Sequence, residues 1–216
     1  MAVTMADIQK LRTMTGAGMM DCKNALTEAN GDMEKAIELI RKRGQAIAAK
    51  RSDREASEGC VLAGIKGDFA AIVAVKCETD FVAKNADFVG LTQKILDAAL
   101  DKQPSTLDEL LGVSIDGRTV NELITERSGV TGEKMELGYY EFVKGAYVVE
   151  YNHTGNKLST IVAFEKAGVD RQVARDIAMQ VASMNPIALT KEGIPEKIVN
   201  QELEIGRDKA RQEGKP

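Results

Sequence analysis

Near residue 59 the apolar pattern of this chain changes period, and that change most restricts the folds open to it. Before it, apolar residues recur three and four apart, as on one face of a helix. After it, "CVLAGIK" and "FAAIVAVKC" read as strands on either side of Gly67 and Asp68, a two-residue hairpin signal. The fold is therefore expected to be α+β, with antiparallel strands following an all-helical start.

The first 44 residues divide into three short helices. Thr4 opens "TMAD", a capping signature whose hydroxyl accepts a helix-start amide, and Ile8 and Leu11 then share a face to about Thr15. "TGAG" breaks this helix. "MMDCKNALTEAN" starts the next, with Cys22, Ala25, Leu26 and Ala29 at helical spacing. "NGD" breaks again, and Asp32 is a good N-cap for "MEKAIELIRKR", with Met33, Ala36, Ile37 and Ile40 on one stripe and Gly44 placed to end it. So small a bundle has a thin core, and such a module usually binds something. Residues 45–58, charged and Ala-rich with no apolar stripe, read as a partly helical linker.

In the strand-rich part, Phe88, Thr92, Ile95 and Ala99 line up at helical spacing, as do Val89, Leu96 and Leu100. A second short helix runs over 119–129, capped by Thr119 with Glu122 and stopped by Gly129. Strand character returns in "MELGYYEFV", "AYVVEYNH" and "KLSTIVAFEK", and the helix "DRQVARDIAMQVASM" follows. "AIVAV" before one helix resembles "TIVAF" before the other. This weak repeat divides the core into related subdomains at 59–130 and 131–190. Residues 191–216 read as one polar helix of about 18 residues whose stripe of Ile198, Val199, Leu203 and Ile205 suits a single partner helix. Gly214 and Pro216 supply its stop.

Composition narrows the chemistry. A net charge of −4 and a dispersed basic run (Arg41, Lys42, Arg43, Lys50, Arg51, Arg54) read as a solvated helix face, not a nucleic-acid site. The nine methionines are expected mostly to fill core gaps. Cys22, Cys60 and Cys77 lack metal-type spacing and suit buried thiols in a reducing cytoplasm. The start has no signal-peptide apolar region, and no run is long enough to cross a bilayer. The lone histidine, His153, has too few partners for a triad or a zinc site, and "TGAGMMD" is no phosphate-binding loop. No catalytic residue, metal or cofactor is expected. The chain reads as a protein that contacts proteins and not as an enzyme.

"CETDFVAKNADF", residues 77–88, sets an acid and a bulky aromatic side by side after an apolar run. Phe81 lies seven residues before Phe88, so spacing alone assigns it to the core.

That run, and "LRTMTGAGMMDCKNALTEANGDMEKAI" at 11–37, resemble the two signatures of the bacterial elongation factor Ts family. The resemblance covers essentially the whole chain, weakens over 104–150 and recovers at "YNHTGNKLSTIVAFEKAG" and "DIAMQVASMNP". It implies a ubiquitin-associated-like module of three helices, a core of two related sheet-plus-helix subdomains, and a protruding helix. It implies exchange of guanine nucleotide on elongation factor Tu, bound in its GDP-loaded and nucleotide-free states. It reverses the assignment of Phe81: Thr79, Asp80, Phe81 and Val82 would start a helix and push the aromatic into elongation factor Tu, disturbing its Mg²⁺ site. Arg12, Met19, Met20 and His153 are the further candidate contacts.

Gln180 stands where family members often carry His. The family also runs on past "GKP" into a second hairpin helix, so a shortened chain is expected, with its last helix frayed or paired with a second copy. Two other readings stay open: an adaptor using the three-helix module without exchange, and a thiol enzyme built on Cys77.

Overall fold

The computed structural model describes residues 3–214. Helices come first and antiparallel sheet follows. Helix α1 (Met5–Thr15) begins with a capping box in which the Thr4 hydroxyl accepts from Asp7 N–H at 3.2 Å and Asp7 accepts from Thr4 N–H at 3.1 Å. It ends on Gly16, left-handed at φ +70°. Helix α2 (Met19–Glu28) buries Cys22, Ala25 and Leu26, and "NGD" turns through Asn30 and Gly31, both at positive φ. Helix α3 (Met33–Lys50) is capped by Asp32, which accepts from Lys35 N–H at 3.1 Å.

The strand-rich region begins with β1 (Glu58–Lys66) and β2 (Phe69–Cys77), paired from Lys66↔Phe69 back to Glu58↔Cys77 across a turn in which Gly67 sits at φ +65°. The one-turn helix α4 (Asp80–Ala83), the long α5 (Ala86–Lys102) and the short α6 (Leu107–Gly112) follow. A small ladder of β3 (Ser114–Ile115) and β4 (Arg118–Thr119) leads into α7 (Val120–Thr131), with the Thr119–Glu122 capping box in place. Strand β5 (Glu136–Lys144) then pairs with β2, giving the order β1-β2-β5. The expected assignment of this strand to a second subdomain beginning at 131 is corrected: it completes the first sheet. Phe69, Val73, Phe88, Ile95, Leu110 and Val120 are all fully buried in the core that this sheet shares with the helices.

Two glycines expected to stop helices do not. Helix α3 runs through Gly44 to Lys50, into the segment expected as linker, and α7 runs through Gly129 to end on Gly132 at φ +72°. The helices cross here: a Cβ added to Gly129 would lie 2.1 Å from the Cα of Gly44. The missing side chains allow close approach of two backbones, so at these positions packing outweighs stop chemistry. Arg41 of α3 ties the crossing to α7, 2.8 Å from Glu126 and 3.3 Å from Glu122. Arg43 reaches Glu28, while Arg51 and Arg54 both reach Glu78. The basic run is thus largely paired across elements and not simply solvated.

Strands β6 (Tyr147–Asn152) and β7 (Ser159–Phe164) form a further two-stranded sheet. "AIVAV" lies in β2 and "TIVAF" in β7, the middle of one sheet and half of another. The amide of Asn152 acts as a substitute strand for the outer edge of β1: Ala63 N–H donates to Asn152 Oδ1 at 2.7 Å, and Asn152 Nδ2 donates to Ala63 O at 2.9 Å. Ser159 Oγ donates to Val61 O at 3.2 Å, and Val61 N–H donates to Asn156 O at 2.7 Å. Helix α8 (Arg171–Met184) buries Ala174 and Ala178, and the Thr160 hydroxyl bonds Ala178 O at 2.9 Å.

From Gln180 on, the described residues form a separate compact unit. Its helix α9 (Glu196–Gln212) leaves Val199, Leu203 and Ile205 exposed and Ile198 half-buried. Gly214 is at φ +67°, whereas Pro216, the other expected stop, lies outside the described residues. The methionines overturn their expectation. Met135 is buried, but Met5, Met14, Met19, Met20, Met179 and Met184 are exposed, because Ala, Leu, Ile and Cys already fill the buried stripes.

Candidate functional site

At Cys77 the chain leaves β2 and must turn. Thr79, extended at φ −122° and ψ 154°, caps α4, and its hydroxyl accepts from Val82 N–H at 3.4 Å. The helix stops after four residues, and Asn85 caps a new one by accepting from Asp87 N–H at 2.9 Å. This break takes Phe81 and Phe88 off any common face. Phe88 is wholly buried, whereas Phe81 is 84% exposed. The core assignment from spacing is therefore wrong. Val82 and Ala83 take the inward positions of the turn, packed against the main core.

Groups far away in the chain hold this turn from outside it. The Glu133 carboxylate accepts from the N–H groups of Glu78 and Thr79, both at 3.1 Å, and from the Thr79 hydroxyl at 2.6 Å. In return, Glu78 accepts from Lys134 N–H at 2.6 Å. That bond, with Arg54 and Arg51 beside it, holds the Glu78 carboxyl below the usual range. Asp80 accepts from Lys84 Nζ at 2.6 Å, and the bond and charge of Lys84 lower its pKa.

Lys157 also lowers Asp80, and it forms an ion pair with Glu58 at 2.7 Å. Lys157 belongs to the turn that carries His153, so this turn comes close enough to Asp80 for their charges to interact. His153 is exposed, its Nδ1 lies 2.7 Å from the Tyr151 hydroxyl, and its backbone N–H donates to Leu158 O at 2.9 Å. Spacing alone found neither Lys157 nor Glu133, because both act across distant parts of the chain.

The N-terminal candidates lie on α1 and α2. Arg12 is exposed and lines a cleft of about 660 Å³ between α1, the first turns of α5 and α7, with Gln9, Asp87, Gly90 and Lys94. Arg127 closes its floor, 3.0 Å from Asp87 and 3.1 Å from Asn85. Met19 and Met20 are 45% and 63% exposed, so neither is buried by its helix. Met5 and Met14 of α1 are also exposed and were not anticipated.

Chemistry of bond cleavage has little footing here. The Cys77 thiol is buried, donates to Thr79 O at 3.3 Å, and is pushed up to about 12 by burial and by Glu133 and Glu58. At neutral pH it is a thiol and not a thiolate, which removes the basis of the thiol-enzyme reading. What the surface offers is an exposed aromatic beside an acid, exposed methionines on α1 and α2, and a polar turn. No helix among the described residues is long and apolar enough to cross a membrane.

Comparison with known proteins points the same way. The family model described as "Elongation factor TS" matches residues 78–216, from within the run that carries Phe81. Elongation factor Ts of Porphyromonas gingivalis is 62% identical over 217 aligned positions, covering 100% of this chain and 79% of that protein. Elongation factor Ts of Azobacteroides pseudotrichonymphae is 59% identical over 216 positions, with the same coverage. That of Phocaeicola vulgatus is 60% identical over 214 positions, covering 99% of this chain and 64% of that protein.

Proposed function

The chain belongs to the elongation factor Ts family, and so to the translation elongation factors, and from that premise we propose that it is a guanine-nucleotide exchange factor for elongation factor Tu in the cytoplasm. The observation that carries this reading is Phe81, 84% exposed on a capped turn that other elements hold in place. A large aromatic kept out of a core that takes Phe88, seven residues further on, is held for another protein.

An exchange factor has to bind the nucleotide-free partner more tightly than the GDP-bound one, since equal affinity shifts nothing. By linkage, the factor and GDP weaken each other reciprocally. GDP is held through its phosphates and Mg²⁺, so displacing the elements that hold the metal is the economical route. In this reading Asp80 and Phe81 enter near the Mg²⁺ site, and Thr79 and Val82 frame them.

Burying one Phe contributes roughly 1.5–3 kcal/mol. Moving a two-state equilibrium from 1:99 to 99:1 takes about 5.5 kcal/mol. Phe81 therefore needs anchors, and Arg12, Met19, Met20 and the His153 turn are the surfaces assigned to that part. The three N-terminal helices would serve as a ubiquitin-associated-like module, and the two sheets with their helices as the related subdomains. The exposed stripe of α9 would take a partner helix or a second copy.

The test uses elongation factor Tu loaded with fluorescent GDP. Substoichiometric amounts of this protein are expected to accelerate GDP release with turnover. Release that stays at the intrinsic rate at every concentration would overturn the proposal and leave the adaptor reading.

A further inference from the structure

We infer that Glu133 is a positioning residue for Phe81: its carboxylate fixes the amides of Glu78 and Thr79, which lead into α4, and so sets the direction in which the exposed ring points. The inference rests on the exchange reading above.

The ring cannot set its own direction, because with 84% of its surface exposed it has little to pack against. Its direction is that of the α4 backbone. A single helical turn does not sustain itself in water, since nucleation fixes several dihedrals for one hydrogen bond. The internal cap is weak as well: the bond from Val82 N–H to the Thr79 hydroxyl is 3.4 Å long.

Glu133 makes up the deficit. It accepts from Glu78 N–H, Thr79 N–H and the Thr79 hydroxyl, which is then oriented to receive Val82. Bonds to an ionised acceptor are the strong kind. Glu133 is itself held: Ser128, buried in α7, donates its hydroxyl proton to Glu133 O, and Glu133 N–H donates to Thr131 Oγ1 at 3.3 Å. Glu78 closes the exchange by accepting from Lys134 N–H, with Arg51 and Arg54 on the same carboxylate. Two acidic residues thus trade backbone bonds between 78–79 and 133–134, and the end of α7 becomes the mount for α4.

The test compares Glu133→Ala, Glu133→Gln and Phe81→Ala in the full chain, by GDP release and by amide exchange of the free protein. Glu133→Ala is expected to lower the maximal release rate about tenfold while affinity for elongation factor Tu changes far less. Gln can accept both N–H groups and meet the hydroxyl with its amide, so Glu133→Gln should stay within about twofold of the parent. Adding Glu133→Ala to Phe81→Ala should slow release no further. In the free protein, Glu133→Ala should cut protection at the Glu78 and Thr79 amides about tenfold and leave β2 unchanged.

A multiplicative loss in the double variant, a full rate in Glu133→Ala, or Glu133→Gln as slow as Glu133→Ala would each overturn the inference. If Phe81→Ala itself releases GDP at the parent rate, the exchange reading of that ring fails. The amide measurement then decides the positioning claim alone: unchanged protection at 78 and 79 overturns it.

Discussion

The α3–α7 crossing makes a prediction with opposite signs at two neighbouring glycines. A Cβ on Gly44 would meet Gly129 Cα at 3.5 Å, an ordinary contact, whereas a Cβ on Gly129 would meet Gly44 Cα at 2.1 Å. Alanine in a helix interior is favoured over glycine by roughly 0.5–1 kcal/mol. Gly44→Ala should therefore be neutral or stabilising by up to that amount. Gly129→Ala brings the same helical gain, but the atom it meets is backbone and cannot rotate away. The helices would have to part by about 1 Å in a close-packed interface. Overpacking of this kind costs typically 1–3 kcal/mol. Parting also stretches the Arg41 bridges to Glu122 and Glu126. A net loss of about 2 kcal/mol corresponds to a melting temperature lower by about 4–8 °C for a chain of this size. Urea and thermal unfolding of the two variants, with amide exchange over residues 41–50, would measure it. Equal stability of Gly44→Ala and Gly129→Ala would mean that the two backbones are not crowded at this crossing.

Phe81→Ala is expected to leave the melting temperature nearly unchanged, as surface substitutions stay within about 0.5 kcal/mol, while GDP release slows; a large stability loss would contradict the exposed placement. Cys77 should resist alkylation at pH 8 in the native protein and react on unfolding. Its folded thiol is raised from 9.0 to about 12, so the unfolded state sheds the proton first, and stability should fall as pH rises above 9.0. Cys77→Ala should flatten that decline in a pH series of urea melts, and an unchanged slope would assign it to other groups, Tyr140 among them. Asn152→Ala leaves the N–H and C=O of Ala63 without their partners, which should cost about 1–3 kcal/mol by chemical denaturation.

Elements set by local chemistry were legible. The Thr4 and Thr119 capping boxes, the Gly67-Asp68 turn and the buried stripe of α5 follow from residues a few positions apart. Gly44 and Gly129 misled because local stop chemistry was outweighed by a contact between residues far apart in the chain. Phe81 misled for a different reason: a period of seven presumes one continuous helix, and the Asn85 cap interrupts it. The resemblance to a family signature placed Phe81 outside the core where spacing did not. Glu133 had no local mark, since all its bonds to the turn span 54 or 55 residues.

The way β1 is closed also has a consequence in time. Asn152 lies 89 residues after Ala63. On a growing chain the β1–β2 hairpin exists well before the amide that covers its outer edge has been made. At about 5–20 residues per second, the delay is roughly 4–18 s. During it, Val61 and Ala63 present unpaired backbone groups to any neighbouring strand, the usual start of edge-to-edge association. Only the charged ends of the strand, Glu58 and Lys66, stand against that meanwhile. Slower synthesis between residues 63 and 152 would lengthen the exposure and lower the soluble yield without altering a single contact in the finished fold.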